Sequence, residues 1–290
     1  GLCFASVATD TGGSIRYPSA ANGCVGLKPT YGRVSRYGTF ALAASMDHIG
    51  PMTRTVEDVA IMFEAMAGPD PRDPSSLPGP VPSVRAELGR GITGLRVGFD
   101  RRYATENVDP DVAKAMDGVL AELTRHGATV VTVTLPDVSK VGGAWLDLCC
   151  VEALAAHAKT FPARASEYGP GFRAALESGQ RVTPTALAAA LKLRADMSAS
   201  LERILNTVDC LVCPSMANSA RVKEADPFDE ETDESWSQQV RNDIHAALQL
   251  QRQPHLVGAV RFLGGRPAAE RAIRGSPTKR SGAVPRGLRV

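Results

Sequence analysis

Within Thr9-Asp10-Thr11-Gly12-Gly13-Ser14-Ile15-Arg16, a serine stands directly after two glycines. Glycines let the backbone turn tightly and leave room for a substrate carbonyl to approach. Successive N–H groups can then converge beside the hydroxyl. That arrangement suits acyl transfer, which needs a nucleophile and donors aimed at the oxygen that turns negative in the tetrahedral intermediate. A lone Gly-Gly-Ser is most often a plain turn or linker, so the meaning of this one depends on what surrounds it.

The surroundings are specific. Gly26-Leu27-Lys28-Pro29-Thr30-Tyr31-Gly32-Arg33-Val34-Ser35 and Asp47-His48-Ile49-Gly50-Pro51 complete a block running from Ala8 to Arg54. The block resembles the amidase signature family of serine amidases. The resemblance implies that Ser14, last residue of the Asp-x-Gly-Gly-Ser turn, is the nucleophile. The oxyanion donors would then be the backbone amides of Thr11, Gly12, Gly13 and Ser14. Asp10 and Arg16 fall where the family braces this loop, and an ion pair holding the turn is preferred to a direct catalytic role.

A serine hydroxyl also needs a base. The family's base is a lysine acting through a second serine held by a cis peptide, both upstream of the nucleophile. Thirteen residues precede Ser14 here and none is a lysine, while Ser6 stands too close to be the relay serine. The chain opens on Gly1, not Met, and the expectation is a fragment that begins inside the domain and carries half of a catalytic site.

Two other motifs invite chemistry. Asp47-His48 suggests a Ser-His-Asp set, but neighbouring residues of a strand point to opposite faces, so Asp47 would not orient the imidazole. The expectation is a polar residue lining a loop, since the family pattern tolerates histidine there. Cys210-Leu211-Val212-Cys213 has metal-site spacing without a second pair or a nearby histidine pair. The run Val208–Cys213 is expected to be a buried strand in which cysteine is a small hydrophobe. No metal, cofactor or disulfide is expected.

The elements around these residues alternate. Thr55 and Asp58 open a helix to Ala67, which Gly68 ends. A strand at 94–99 leads to a helix capped by Asp109 with Pro110 in its first turn, then Gly127 and a second strand over 128–135. That βαβ unit predicts parallel neighbours. Helices follow around 142–159 and 185–205, then the 208–213 strand. The predicted class is α/β, a mixed β-sheet covered by helices on both faces, which the resemblance also implies.

Composition is that of a globular protein, 43% hydrophobic and 22% charged, with no apolar run long enough for a membrane span and no leader-like opening. Cytoplasmic location is the default expectation. The net charge of +2 conceals an asymmetry: residues 245–290 hold nine Lys/Arg and one acid, leaving 24 basic and 30 acidic residues in 1–244. Without interleaved aromatics or a basic amphipathic helix, the tail does not predict nucleic-acid binding. It reads instead as a translated frameshift. Permitted codons for residues 244–262, read one base along, spell Phe-Thr-Arg-Pro-Phe-Asn-Phe-Ser-Gly-Asn-Pro-Thr-Leu-Ser-Val-Pro-Cys-Gly, which matches the segment the family carries here. The expected organisation is a partial amidase signature domain at 1–244 and an aberrant, disordered basic tail at 245–290.

The resemblance implies an amidase that cleaves the C–N bond of a small carboxamide through an acyl-enzyme, with the fragment inactive by itself. A second reading is the glutaminase component of a tRNA-dependent amidotransferase, which would bring partner subunits. A third is a noncatalytic remnant.

Overall fold

The computed structural model describes residues 3–218 and 258–261. Strand β1 (Ala5–Asp10) leads through a tight turn into helix α1 (Arg16–Ala21), then β2 (Val25–Lys28), a long loop and β3 (His48–Thr53). Helices α2 (Val56–Met66) and α3 (Val84–Glu87) precede β4 (Arg96–Phe99), α4 (Arg101–Thr105), α5 (Pro110–Arg125) and β5 (Thr129–Thr132). Then come α6 (Val141–Ala156), α7 (Pro170–Arg181), α8 (Pro184–Leu205), β6 (Cys210–Leu211) and β7 (Gly258–Arg261).

The class is α/β, with the described strands divided between two sheets. One is antiparallel in the order β1-β3-β2-β7; the other is parallel in the order β5-β4-β6. In the first, β1 pairs with β3 over six residues, from Ala5 opposite Thr53 to Asp10 opposite His48. The β2–β3 ladder stops at Gly26 opposite Met52, next to Pro51, whose nitrogen has no hydrogen to donate. Helix α2 covers this sheet with Val59 and Phe63 against Val25, Leu27 and Ile49. Its start is set by Thr55, whose hydroxyl accepts from Asp58 N–H at 3.1 Å and donates to the Asp58 carboxylate at 2.8 Å.

The parallel sheet contains the predicted βαβ unit, with Arg96 opposite Thr129 and Phe99 opposite Thr132. Pro110 occupies the first turn of α5 and Gly127 follows its end with φ +90°. Asp109 differs from its expected role: its side chain makes no cap hydrogen bond, and its N–H donates to Ala217 O at 2.8 Å. Pro110 by itself fixes the backbone of the first turn, and its nitrogen is one of the helix-start positions that lack an intrahelical partner in any case.

One further expectation is corrected. The 208–213 strand shrinks to Cys210–Leu211, with Cys210 exposed and Cys213 half-buried against the core of α6 and α8. Burial pushes the Cys213 thiol up to about 11 and Cys149, on α6, up to about 12, so both stay protonated at neutral pH. Within 245–290, the described residues Gly258–Arg261 form strand β7, paired antiparallel with β2 from Lys28 opposite Gly258 to Val25 opposite Arg261. The rest of the tail and the proposed frame break at 244–245 lie outside the described residues. Among those described, no helix is long and apolar enough to cross a membrane.

Candidate active site

The turn that carries Ser14 is built around the carboxylate of Asp10. This side chain is fully buried at the end of β1. Its Oδ1 accepts from Gly13 N–H at 2.8 Å and Arg16 Nη2 at 2.8 Å, and its Oδ2 from Ile15 N–H at 3.1 Å and Arg16 Nε at 3.0 Å. The chain therefore wraps around one carboxylate before entering α1, and the guanidinium closes it bidentately. Burial would by itself raise the pKa of Asp10. The charge and hydrogen bonds of Arg16, the charge of Lys28 and the Ile15 N–H instead hold it far below the usual carboxylate range. Asp10 is a fixed anion, with no proton to exchange near neutral pH.

Both glycines are required by what lies against them. Gly13 has φ +139°, and a Cβ there would sit 2.2 Å from Cε2 of Tyr17. A Cβ on Gly12 would lie 2.5 Å from Cζ2 of Trp145. Ser14 is exposed, and its hydroxyl makes no hydrogen bond among the described residues. The N–H groups of Thr11, Gly12 and Ser14 likewise meet no acceptor among the described residues, whereas Gly13 N–H is committed to Asp10. With Gly13 N–H directed at the Asp10 carboxylate, the three that meet no described acceptor are those of Thr11, Gly12 and Ser14.

Beneath the turn, charges are packed closely. Lys28, at the end of β2, is half-buried and donates to Pro29 O at 3.3 Å. Burial and the charge of Arg16 push its pKa down to about 7, against the attraction of Asp10. His48 is buried on β3, not on a loop as its sequence context suggested, because it forms the strand pair with Asp10. Its Nδ1 lies 2.6 Å from Met46 O, which can only accept, so Nδ1 carries the proton. Burial and the nearby Lys28 charge hold the ring neutral.

Sequence reasoning missed the supports of Thr11. Its hydroxyl donates to Asp47 Oδ1 at 2.6 Å, and Asp47 also accepts from the N–H groups of Leu42 at 2.9 Å and Ala43 at 3.1 Å. On the other side, Trp145 Nε1 donates to Thr11 O at 2.8 Å. Helix α6 reaches the same loop through Glu152, which accepts from Ser45 N–H at 2.7 Å, while the buried Arg194 of α8 donates to Ser45 O at 2.9 Å. Among the described residues, no cluster of three or more His, Cys, Asp or Glu could hold a metal ion.

The strand–turn–helix that carries Ser14, together with the parallel βαβ unit, belongs to an α/β fold that solved amidases share. The family model described as Amidase matches residues 1–254, and the chain belongs to that family. An amidase of Pseudomonas putida is 39% identical over 214 residues, 73% of this chain and 46% of that protein. The A-type component of the glutamyl-tRNA(Gln) amidotransferase of Geobacter sp. (strain M21) is 47% identical over 151 residues, 52% of this chain and 31% of that one. Among solved structures, the corresponding glutamyl-tRNA(Gln) amidotransferase component of Thermotoga maritima superposes with a TM-score of 0.66 at 27% identity, covering 85% of this chain and 53% of the other. The native peptide amidase of Stenotrophomonas maltophilia does so with a TM-score of 0.61 at 28% identity, covering 75% and 50%. The chain spans about half the length of the curated relatives it matches.

Proposed function

We propose that this chain supplies the nucleophile side of an amide-hydrolysing site. Ser14 Oγ attacks the carbonyl carbon of a small carboxamide. The C–N bond then breaks, the amine leaves with a proton, and water releases the acid from the Ser14 ester. The oxygen of the tetrahedral intermediate is held by the N–H groups of Thr11, Gly12 and Ser14, with Asp10 and Arg16 fixing the turn. The observation that carries this reading is the exposed Ser14 hydroxyl beside three backbone donors that meet no acceptor among the described residues. Since no described side chain hydrogen-bonds that hydroxyl, the reading assigns proton transfer to the lysine–serine relay of the family. The test is trapping in the chain extended upstream by a segment carrying that lysine and relay serine: incubation with a carboxamide or the corresponding ester, followed by mass spectrometry, should find the acyl group on the Ser14 peptide and nowhere in Ser14→Ala. Turnover without an adduct, unchanged in Ser14→Ala, would refute it.

A second reading, the glutaminase component of an amidotransferase, is favoured by the higher identity to that relative over the shorter stretch, 47% over 151 residues against 39% over 214 for the amidase. Glutamine-dependent ammonia release that rises on adding the partner subunits would select it.

A further inference from the structure

We infer that Trp145 is a positioning residue of the nucleophile turn, setting the direction in which Gly12 N–H points; this rests on reading Ser14 as the nucleophile. The Thr11–Gly12 peptide is trans, as the described cis bond is confined to Phe161–Pro162. In a trans peptide, C=O and the following N–H point in opposite directions in one plane. The Trp145 hydrogen bond to Thr11 O at 2.8 Å therefore orients Gly12 N–H toward the other side of the turn. Contact reinforces the bond: the indole lies where a Gly12 Cβ would be, so the peptide cannot swing toward α6.

The indole is itself well anchored. It stands in the first turns of α6 beside the buried Val141, Ala144 and Leu148. Glu152 follows seven positions later, two helical turns along the same face. Through Ser45, Glu152 holds the loop that presents Asp47 to the Thr11 hydroxyl. One helix face thus grips Thr11 from two directions, at its carbonyl directly and at its side chain through the loop. A hydrogen bond spanning 134 residues makes the aim of the donor depend on the docking of α6.

The test is the kinetics of Ser14 modification by a fluorophosphonate, whose tetrahedral adduct places an oxygen at the donors. It would be run on the 290-residue chain and on one extended by an upstream segment carrying the family's lysine and relay serine. Trp145→Phe keeps a ring over Gly12 and loses the N–H. Its limiting rate of labelling should fall about tenfold, less than the roughly 10²–10³ that loss of a whole oxyanion donor costs, with half-saturating probe concentration unchanged within about twofold. A merely structural role would lower the melting temperature and the labelled fraction, leaving the limiting rate of the folded protein intact. Gly12→Ala should be severe by itself and add little in a Trp145→Ala background, where the ring is gone. Equal limiting rates in wild type and Trp145→Phe, or additive losses for Gly12→Ala and Trp145→Ala, would overturn the inference while leaving the nucleophile in place. Failure of the wild-type Ser14 to label in both forms would overturn the nucleophile reading and this inference with it.

Discussion

Arg16 and Asp10 meet bidentately at 2.8 and 3.0 Å, with side-chain exposures of only 3% and 0%, inside the turn that presents Ser14. Removing one partner of such a pair strands a buried charge, whereas replacing both by apolar groups can be nearly neutral. Asp10→Asn should therefore cost about 3–5 kcal/mol in urea denaturation. Asp10→Leu combined with Arg16→Met should regain only part of that stability, because the N–H groups of Gly13 and Ile15 lose their acceptor, and should not restore reactivity at Ser14. A double variant as unstable as the sum of the singles would contradict the pairing.

Gly13 answers to two constraints at once. Gly13→Ala places a Cβ at φ +139° and 2.2 Å from the Tyr17 ring. The backbone strain alone is worth about 1–3 kcal/mol. Adding Tyr17→Leu should relieve the collision and leave the strain, so the pair regains only part of the lost stability. Complete recovery in thermal melts would mean that the backbone conformation at Gly13 is not needed.

Lys28 gives the turn a pH dependence of definite sign. Its folded pKa, about 7, lies below the ordinary lysine value of 10.5, so between these values the unfolded chain binds the extra proton. Stability contributed at this site therefore rises with pH from about 7 toward 10.5, and the cost of the buried charge is fully present below 7. Lys28→Met should be more stable than wild type at pH 6, with the advantage shrinking through pH 7 to 10. A constant difference between the two melting curves across that range would exclude titration of Lys28.

Thr11 tests the loop contact separately from the indole. Thr11→Val keeps the shape and removes the hydroxyl that donates to Asp47 at 2.6 Å. A hydrogen bond to a charged group is worth about 1.5–3 kcal/mol, so a loss of that size is expected. Asp47→Ala should cost more, because the N–H groups of Leu42 and Ala43 lose their acceptor as well. Equal losses for the two variants would mean that Asp47 does not organise the loop.

What could be read beforehand was local. The Thr55 cap, Pro110 and Gly127 mark helix ends by their own backbone chemistry, so α2 and the β4–α5–β5 unit stood where expected. Helix α1 gives little sequence signal because it is six residues long and contains Pro18, and α7 begins at Gly169-Pro170, a pair common in turns although proline is at home in a first helical turn. The glycine–serine turn was legible as a pattern. The commitment of Gly13 N–H was not, since it depends on where the Asp10 carboxylate points once buried. Trp145 left no trace because α6 is apolar around most of its circumference, so no stripe marks the side that meets the turn. Asp47 stands beside His48 in sequence, whereas the side chain that bonds it is Thr11, 36 residues away.

As proposed, Ser14 is activated as a nucleophile by a lysine–serine proton relay supplied from upstream. Fluorophosphonate labelling, read by mass spectrometry of the Ser14 peptide, tests this in the 290-residue chain and in the extended chain. Labelling is expected in the chain extended with that relay, abolished by Ser14→Ala, with little or none in the 290 residues alone. An extended, folded chain whose Ser14 stays unmodified, or whose labelling survives Ser14→Ala, would contradict it.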